Sequence, residues 1–241
     1  MIAYHGTPCG ATRPDAARFL RSRHALVSYA NPEDMPIVAD ACASFVLDNG
    51  AFTMWRGGKT PDWDAYLKWV QHWSKHPGFD WWLIPDVIGG TEDENRCLNF
   101  QYGRKAPYGV PVYHLHESLE YAAQLAETWP RVAIGSSGEW PNPGTQSWWN
   151  RMGEVMAAMC DSKGRPKCKL HGLRMLDPLI FSRLPLSSAD SCNATINSGS
   201  LSRFGMYVPP TASQRAEVIA ARIESHNSAA VWDQPQMSLA I

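Results

Sequence analysis

Short apolar runs recur along the chain, each followed by a longer stretch in which apolar residues return every three or four positions. The runs predict strands at residues 2–5, 25–30, 44–48, 81–87, 110–116, 131–136, 170–175 and 187–192. The longer stretches predict helices at 14–21, 32–41, 61–73, 91–102, 118–129, 145–159 and 178–184, with a last one at about 212–225. Residues 61–73 are the clearest, with Trp63, Tyr66, Leu67, Val70 and Trp73 at helical spacing. Residues 91–102 open Thr91-Glu92-Asp93-Glu94, a capping box whose acidic residues suit the positive end of a helix.

Alternating strand and helix implies a parallel sheet covered by helices. Eight such units within 241 residues fit one domain over residues 1–241, a (β/α)8 TIM barrel of the α/β class. An open doubly wound sheet is the second choice. It calls for a glycine-rich phosphate loop after the first strand, which Gly6-Thr7-Pro8-Cys9-Gly10 imitates poorly.

Composition narrows the chemistry. No apolar run reaches the roughly 18–20 residues of a membrane span, and Met1 to His5 lack the pattern of a signal peptide. Six cysteines without a Cys-x-x-Cys pair argue against a disulfide framework or a structural zinc site, and for buried thiols in a reducing cytoplasm. A net charge of −1 leaves any nucleic-acid binding to a local patch. Eleven tryptophans exceed ordinary use; most would fill core space and a few would serve as stacking surfaces.

In a barrel of this kind, residues that do chemistry sit at the C-terminal ends of strands. Polar side chains collect there: His5, Asp48, Asp86, His114 and His116, Gly135-Ser136-Ser137, Arg174 and Asp190. Each alone has a structural explanation. Three aspartates at three strand ends, Asp48, Asp86 and Asp190, would share one mouth. Such a set binds a hard metal, or divides nucleophile and proton transfer at an anomeric carbon. Phe52, just past Asp48, offers an apolar face to a flat ring.

These residues resemble the tRNA-guanine transglycosylases, and most closely their small bacteriophage relatives that insert 7-deazaguanines into DNA. The resemblance lies in Leu47-Asp48-Asn49-Gly50-Ala51-Phe52, in Ile84-Pro85-Asp86, in Ala133-Ile134-Gly135-Ser136-Ser137-Gly138-Glu139 and in Ala189-Asp190-Ser191-Cys192, in the family's order. It implies that Asp190 is the nucleophile and Asp48 the proton handler. It also implies that Asp86, Phe52, Gly135 and Ser136 hold the base, with His114 and His116 where the family offers a glutamine-type contact. Two departures favour DNA over tRNA as partner. No cysteine follows Cys192 to build the family's zinc subdomain, and the chain is short. The expected partners are therefore DNA, single-stranded or with a flipped guanine, and a free 7-deazaguanine base. No cofactor, metal or membrane is expected, and the expected location is the cytoplasm, that of the host if the chain is phage-encoded. Arg174, Arg183 and Arg203 are the phosphate candidates. The basic run at 163–169 precedes strand seven and reads as a solvated loop on the opposite face.

Rival readings use the same residues. A nucleoside or glycoside hydrolase would pass the sugar to water, a metal-dependent hydrolase would bind a cation, and a non-catalytic polynucleotide-binding barrel would form no covalent intermediate.

Overall fold

The computed structural model describes residues 1–7 and 12–233. Its strands are β1 (Ile2–Gly6), β2 (His24–Ser28), β3 (Ser44–Asp48), β4 (Phe79–Leu83), β5 (Gly109–Val110), β6 (Val112–His114), β7 (Arg131–Gly135), β8 (Lys169–Gly172) and β9 (Ser188–Ser191). They pair in parallel in the order β5-β4-β3-β2-β1-β9-β8-β7-β6. The two ends of that order, β5 and β6, are consecutive in the chain and separated only by Pro111, so the sheet forms a ring of eight strand positions. Proline has no N–H to donate, which breaks the fifth strand at that residue. Its carbonyl still accepts from Ala133 N at 3.0 Å, and Val110 O accepts from Ile84 N at 2.9 Å.

The connecting helices are α1 (Arg13–Leu20), α2 (Met35–Ala41), α3 (Ala51–Arg56), α4 (Trp63–Trp73), α5 (Glu92–Tyr102), α6 (Leu119–Thr128), α7 (Gln146–Met159), α8 (Pro178–Phe181), α9 (Asn193–Ile196) and α10 (Ala212–Glu224). The capping box at Thr91 and Glu94 is formed, and a second one, Thr211 with Gln214, starts α10. The single (β/α)8 barrel is as the sequence pattern implies.

Alternation along each strand divides the core in two. Phe45 and Leu47 point outward into the layer between strands and helices, with Tyr66, Trp82 and Trp148, each large apolar side chain contributing about 1.5–3 kcal/mol. Val46 points inward and packs with Tyr4, Leu26, Trp81, Leu83, Val112 and Ala133. Because Val46 faces the barrel axis, Asp48 two residues on faces it too, at the open end.

Several boundaries differ from the sequence pattern. Strand four stops at Leu83, so Asp86 lies in the loop beyond it; strand seven stops at Gly172, so Arg174 is past its end. After the break at Pro111, the fifth strand ends at His114 and turns, leaving His116 outside the strand. Two short helices, α3 and α9, were not expected. Cys97 is exposed, which corrects the expectation of buried thiols, and the cysteines at 42, 97, 160, 168 and 192 are all free. Among the described residues no helix is long and apolar enough to cross a membrane, and no cluster of three or more His, Cys, Asp or Glu is arranged to hold a metal.

Candidate active site

The open end of the barrel holds a cavity of about 190 Å³. Asp48, Asp86 and Asp190 all line it, from β3, the loop after β4, and β9. Phe52, His114, Gly135, Ser136 and Arg174 line it as well, so most of the residues singled out from sequence meet in one place.

Asp48 is partly buried, held by the Ser28 hydroxyl and by Gly50 N, which donates to its Oδ2 at 3.1 Å. Burial pushes its carboxyl up to about 6, and the charges of Asp190 and Asp86 push the same way against those hydrogen bonds. The chain leaves Asp48 through Gly50, whose φ of 75° starts α3. A Cβ at Gly50 would lie 2.8 Å from Ala30 N, so glycine is required for both conformation and space.

Asp86 is 5% exposed and clamped on both oxygens. Asn49 Nδ2 donates to its Oδ1 at 2.6 Å and also to Ile84 O at 2.8 Å, while His114 Nε2 lies 2.8 Å from Oδ2. Burial opposes charge on His114, but its hydrogen bond to Asp86 and the nearby carboxylates outweigh that, and its pKa is raised. Glu117 accepts from His114 N at 2.8 Å and from Asn95 Nδ2 at 2.8 Å, and burial raises its carboxyl. Asn95 in turn accepts from Val87 N at 2.8 Å. The loop carrying Asp86 is therefore tied to its neighbours on two sides.

Asp190 is also 5% exposed. Its Oδ1 accepts from Arg174 N at 3.0 Å and lies 3.2 Å from His171 Nε2. Oδ2 has no hydrogen-bond partner among the described residues. Asp190, Arg174, Phe52 and Cys192 also line a second, outer cleft of about 570 Å³ that continues past Asn193 and Asn197. Asp190 thus stands on the boundary between a narrow inner cavity and a wider outer one.

Phe52 lies in the first turn of α3, with the Arg174 guanidinium 3.8 Å over its ring. Trp55, three residues on and 58% exposed, is 6.0 Å from Phe52 between ring centres and gives the rim an aromatic surface. Ser136 accepts from Trp148 Nε1 at 2.9 Å, which anchors the loop after β7.

Two expected residues do not join this group, and the side chain of a third is not among those described. His116 does not line the inner cavity; its ring nitrogens are 2.8 Å from Ser137 Oγ and 2.8 Å from Gly90 O, so it fastens two loops together. Arg183 lies on the approach to β9, over the Trp149 ring at 5.4 Å, and lines a different cavity. The side chain of Arg203 lies outside the described residues. The basic run at 163–169 precedes β8 at the other end of the barrel and is largely exposed, with Lys167 paired to Glu127 at 3.0 Å. Sequence reasoning missed Asn49 and His171. Asn49 sits in the segment 47–52, directly after Asp48, where an Asn-Gly pair signals a turn.

The fold and the position of the site define a (β/α)8 barrel with a polar mouth at the C-terminal ends of its strands. Similar solved structures include two mutant tryptophan synthase α-subunits from Pyrococcus furiosus. They have TM-scores of 0.54 and sequence identities of 10% and 11%, covering 93% of this chain and 97% of theirs. A structure assigned as a fructose-1,6-biphosphate aldolase from Coccidioides immitis has a TM-score of 0.50 at 13% identity, over 93% of this chain and 90% of its own. At these identities the likeness shows the fold alone. No protein-family model matches the sequence, and no curated protein does.

Proposed function

We propose that the protein is an enzyme, a base-exchange glycosyltransferase that replaces guanine in DNA with a 7-deazaguanine. One observation carries the reading: Asp190 stands where the inner cavity meets the outer cleft, with Asp48 and Asp86 inside the inner cavity. A ligand with a flat base and a bulkier sugar-phosphate chain would fill the two spaces with its glycosidic bond beside Asp190.

The steps follow from the groups present. Asp190 Oδ2 attacks C1′ as the C1′–N9 bond breaks, and the departing guanine takes a proton from Asp48. The sugar is then joined to the enzyme through an ester. An incoming 7-deazaguanine returns a proton to Asp48 as its ring nitrogen attacks C1′, which releases Asp190 with net retention. A carboxyl raised to about 6 is suited to give and take that proton near neutral pH. Asp86 already accepts from Asn49 and His114, and each oxygen keeps a lone pair for the ring N–H and exocyclic amine of the base. His114 Nδ1 and the backbone amides of Gly135 and Ser136 would meet the carbonyl oxygen. Phe52 would stack on the ring once the Arg174 guanidinium moves from its face toward a phosphate. A base stacked in a duplex is out of reach, so the substrate strand would be single or the nucleotide flipped.

The test incubates the protein with guanine-containing DNA and labelled 7-deazaguanine and follows label into the polymer. Incorporation by wild type and none by Asp190→Ala is expected. Release of free guanine without incorporation would assign hydrolysis instead. Incorporation into tRNA but not DNA would reassign the polymer.

A further inference from the structure

Beneath Asp190, a line of buried polar groups runs through the barrel toward the N-terminal ends of its strands. His171 on β8 is wholly buried, and its Nε2 lies 3.2 Å from Asp190 Oδ1. Its Nδ1 lies 2.9 Å from Ser188 Oγ, and Ser188 is itself wholly buried. Arg131 NH1, from the first residue of β7, donates to Ser188 Oγ at 2.9 Å. The register explains the alignment: His171 pairs with Ser188 across β8 and β9, and Ser188 and Asp190 share the inward face of β9. Tyr4 and Trp81 pack edge to face on the imidazole, at 6.0 and 4.7 Å between ring centres, and fix its plane.

The donors and acceptors in this line can be arranged in only one satisfied way. A guanidinium only donates, so Ser188 Oγ is an acceptor toward Arg131. The single Ser188 hydroxyl hydrogen then needs an acceptor, and among the described residues His171 Nδ1 is the one within reach. Nδ1 must therefore be unprotonated, and the ring proton sits on Nε2, facing Asp190. The opposite tautomer would leave the Ser188 hydrogen without an acceptor and set an imidazole lone pair against a carboxylate oxygen. The doubly protonated ring would strand the same hydrogen.

From this geometry we infer that His171 is a positioning residue for Asp190, locked by Arg131 and Ser188 as the neutral Nε2–H tautomer. It occupies Oδ1 with a fixed donor and leaves Oδ2 as the oxygen presented to a ligand. Burial lowers the pKa of His171 and outweighs the attraction of Asp190, with the Arg131 charge acting in the same sense as burial. The titratable and charged groups around the ring are Asp190, Arg131 and Tyr4. The Tyr4 hydroxyl is engaged elsewhere, donating to Asp80 Oδ2 at 2.7 Å. Arg174 N completes the hold on Oδ1 from the other side.

The first test needs no substrate. Full-length protein labelled with 15N in histidine is examined by long-range 1H–15N correlation at neutral pH, with His171 assigned by the signals lost in His171→Gln. The expected pattern is a protonated Nε2 and an unprotonated Nδ1, persisting as pH is lowered through the range where exposed histidines titrate. In Ser188→Ala the Nδ1 side loses its donor and the tautomer preference should weaken. A wild-type ring protonated on Nδ1, or on both nitrogens, overturns the inference. The second test rests on the proposed base exchange. His171→Leu should lower kcat by about 10–100-fold, the usual effect of removing a partner that orients a reacting group. KM for the free base should stay unchanged, and His171→Gln, which keeps a donor, should restore most of kcat. An equal loss in the Gln and Leu variants would overturn the positioning role. Absence of exchange in wild type would remove the proposed function while leaving the tautomer result standing.

Discussion

Arg174 donates its backbone N–H to Asp190 Oδ1 at 3.0 Å, from a left-handed backbone conformation with φ of 61°. A non-glycine residue held there costs on the order of 1–3 kcal/mol, and here the strain turns an amide toward the candidate nucleophile. Arg174→Gly keeps the N–H and relieves the strain, at the cost of added chain entropy. Its unfolding free energy in urea should stay within about 1 kcal/mol of wild type. Arg174→Val, β-branched at the same φ, should lose about 1–3 kcal/mol.

Asp48 makes stability depend on pH in a stated direction. Its folded pKa of about 6 is above the unfolded value of about 3.9, so the native state binds the extra proton between them. Stability attributable to this group is therefore greatest below pH 4 and falls as pH rises through 6, by up to about 3 kcal/mol. Asp48→Asn should remove that fall and raise the urea midpoint at pH 8 relative to wild type, while abolishing exchange. Urea titrations of both proteins from pH 4 to 8 measure the difference.

Gly50→Ala places a Cβ 2.8 Å from Ala30 N at a φ of 75°. The expected loss is about 1–3 kcal/mol, read as a lowered thermal midpoint. The turn after Asp48 should loosen with it, so exchange should fall by more than the unfolded fraction explains.

Asn49→Asp tests the clamp on Asp86. It replaces a donor 2.6 Å from a buried carboxylate with a second carboxylate. An uncompensated buried charge costs about 3–5 kcal/mol, and the loss should be larger at pH 8 than at pH 5, where one of the pair takes up a proton. Asn49→Ala, which removes the donor without adding charge, should lose less at pH 8. Chemical denaturation of the three proteins at both pH values checks the order.

What the sequence shows of this site depends on how local the signal is. Phe45-Val46-Leu47-Asp48 is a strand with the bounds expected, and its alternation already aims Asp48 at the barrel axis. Asp190 was reachable the same way. Helix α3 was not, because Ala51–Arg56 is short and begins at a left-handed glycine without a side-chain cap. The sequence pattern extends the fifth strand too far because Pro111 sits among residues of strong strand preference, and this places His116 at the mouth when it lies beyond the strand end. His171 carries no local sign at all: its partner Ser188 is 17 residues away, and only the pairing of β8 with β9 brings them together. Asn49 and His171 each act on a residue of the site carried by the neighbouring strand or the loop after it, and such roles are set by register.

In the proposed reaction Asp190 makes a bond to the sugar of a deoxyguanosine in DNA. The most direct measurement mixes end-labelled, guanine-containing single-stranded DNA with the protein in the absence of any incoming base, quenches with denaturant, and separates the products on a denaturing gel. A slow-migrating DNA–protein adduct is expected with wild type, absent with Asp190→Ala, and chased back to free DNA when 7-deazaguanine is added before the quench. No adduct with wild type, or an undiminished adduct with Asp190→Ala, would contradict the assignment.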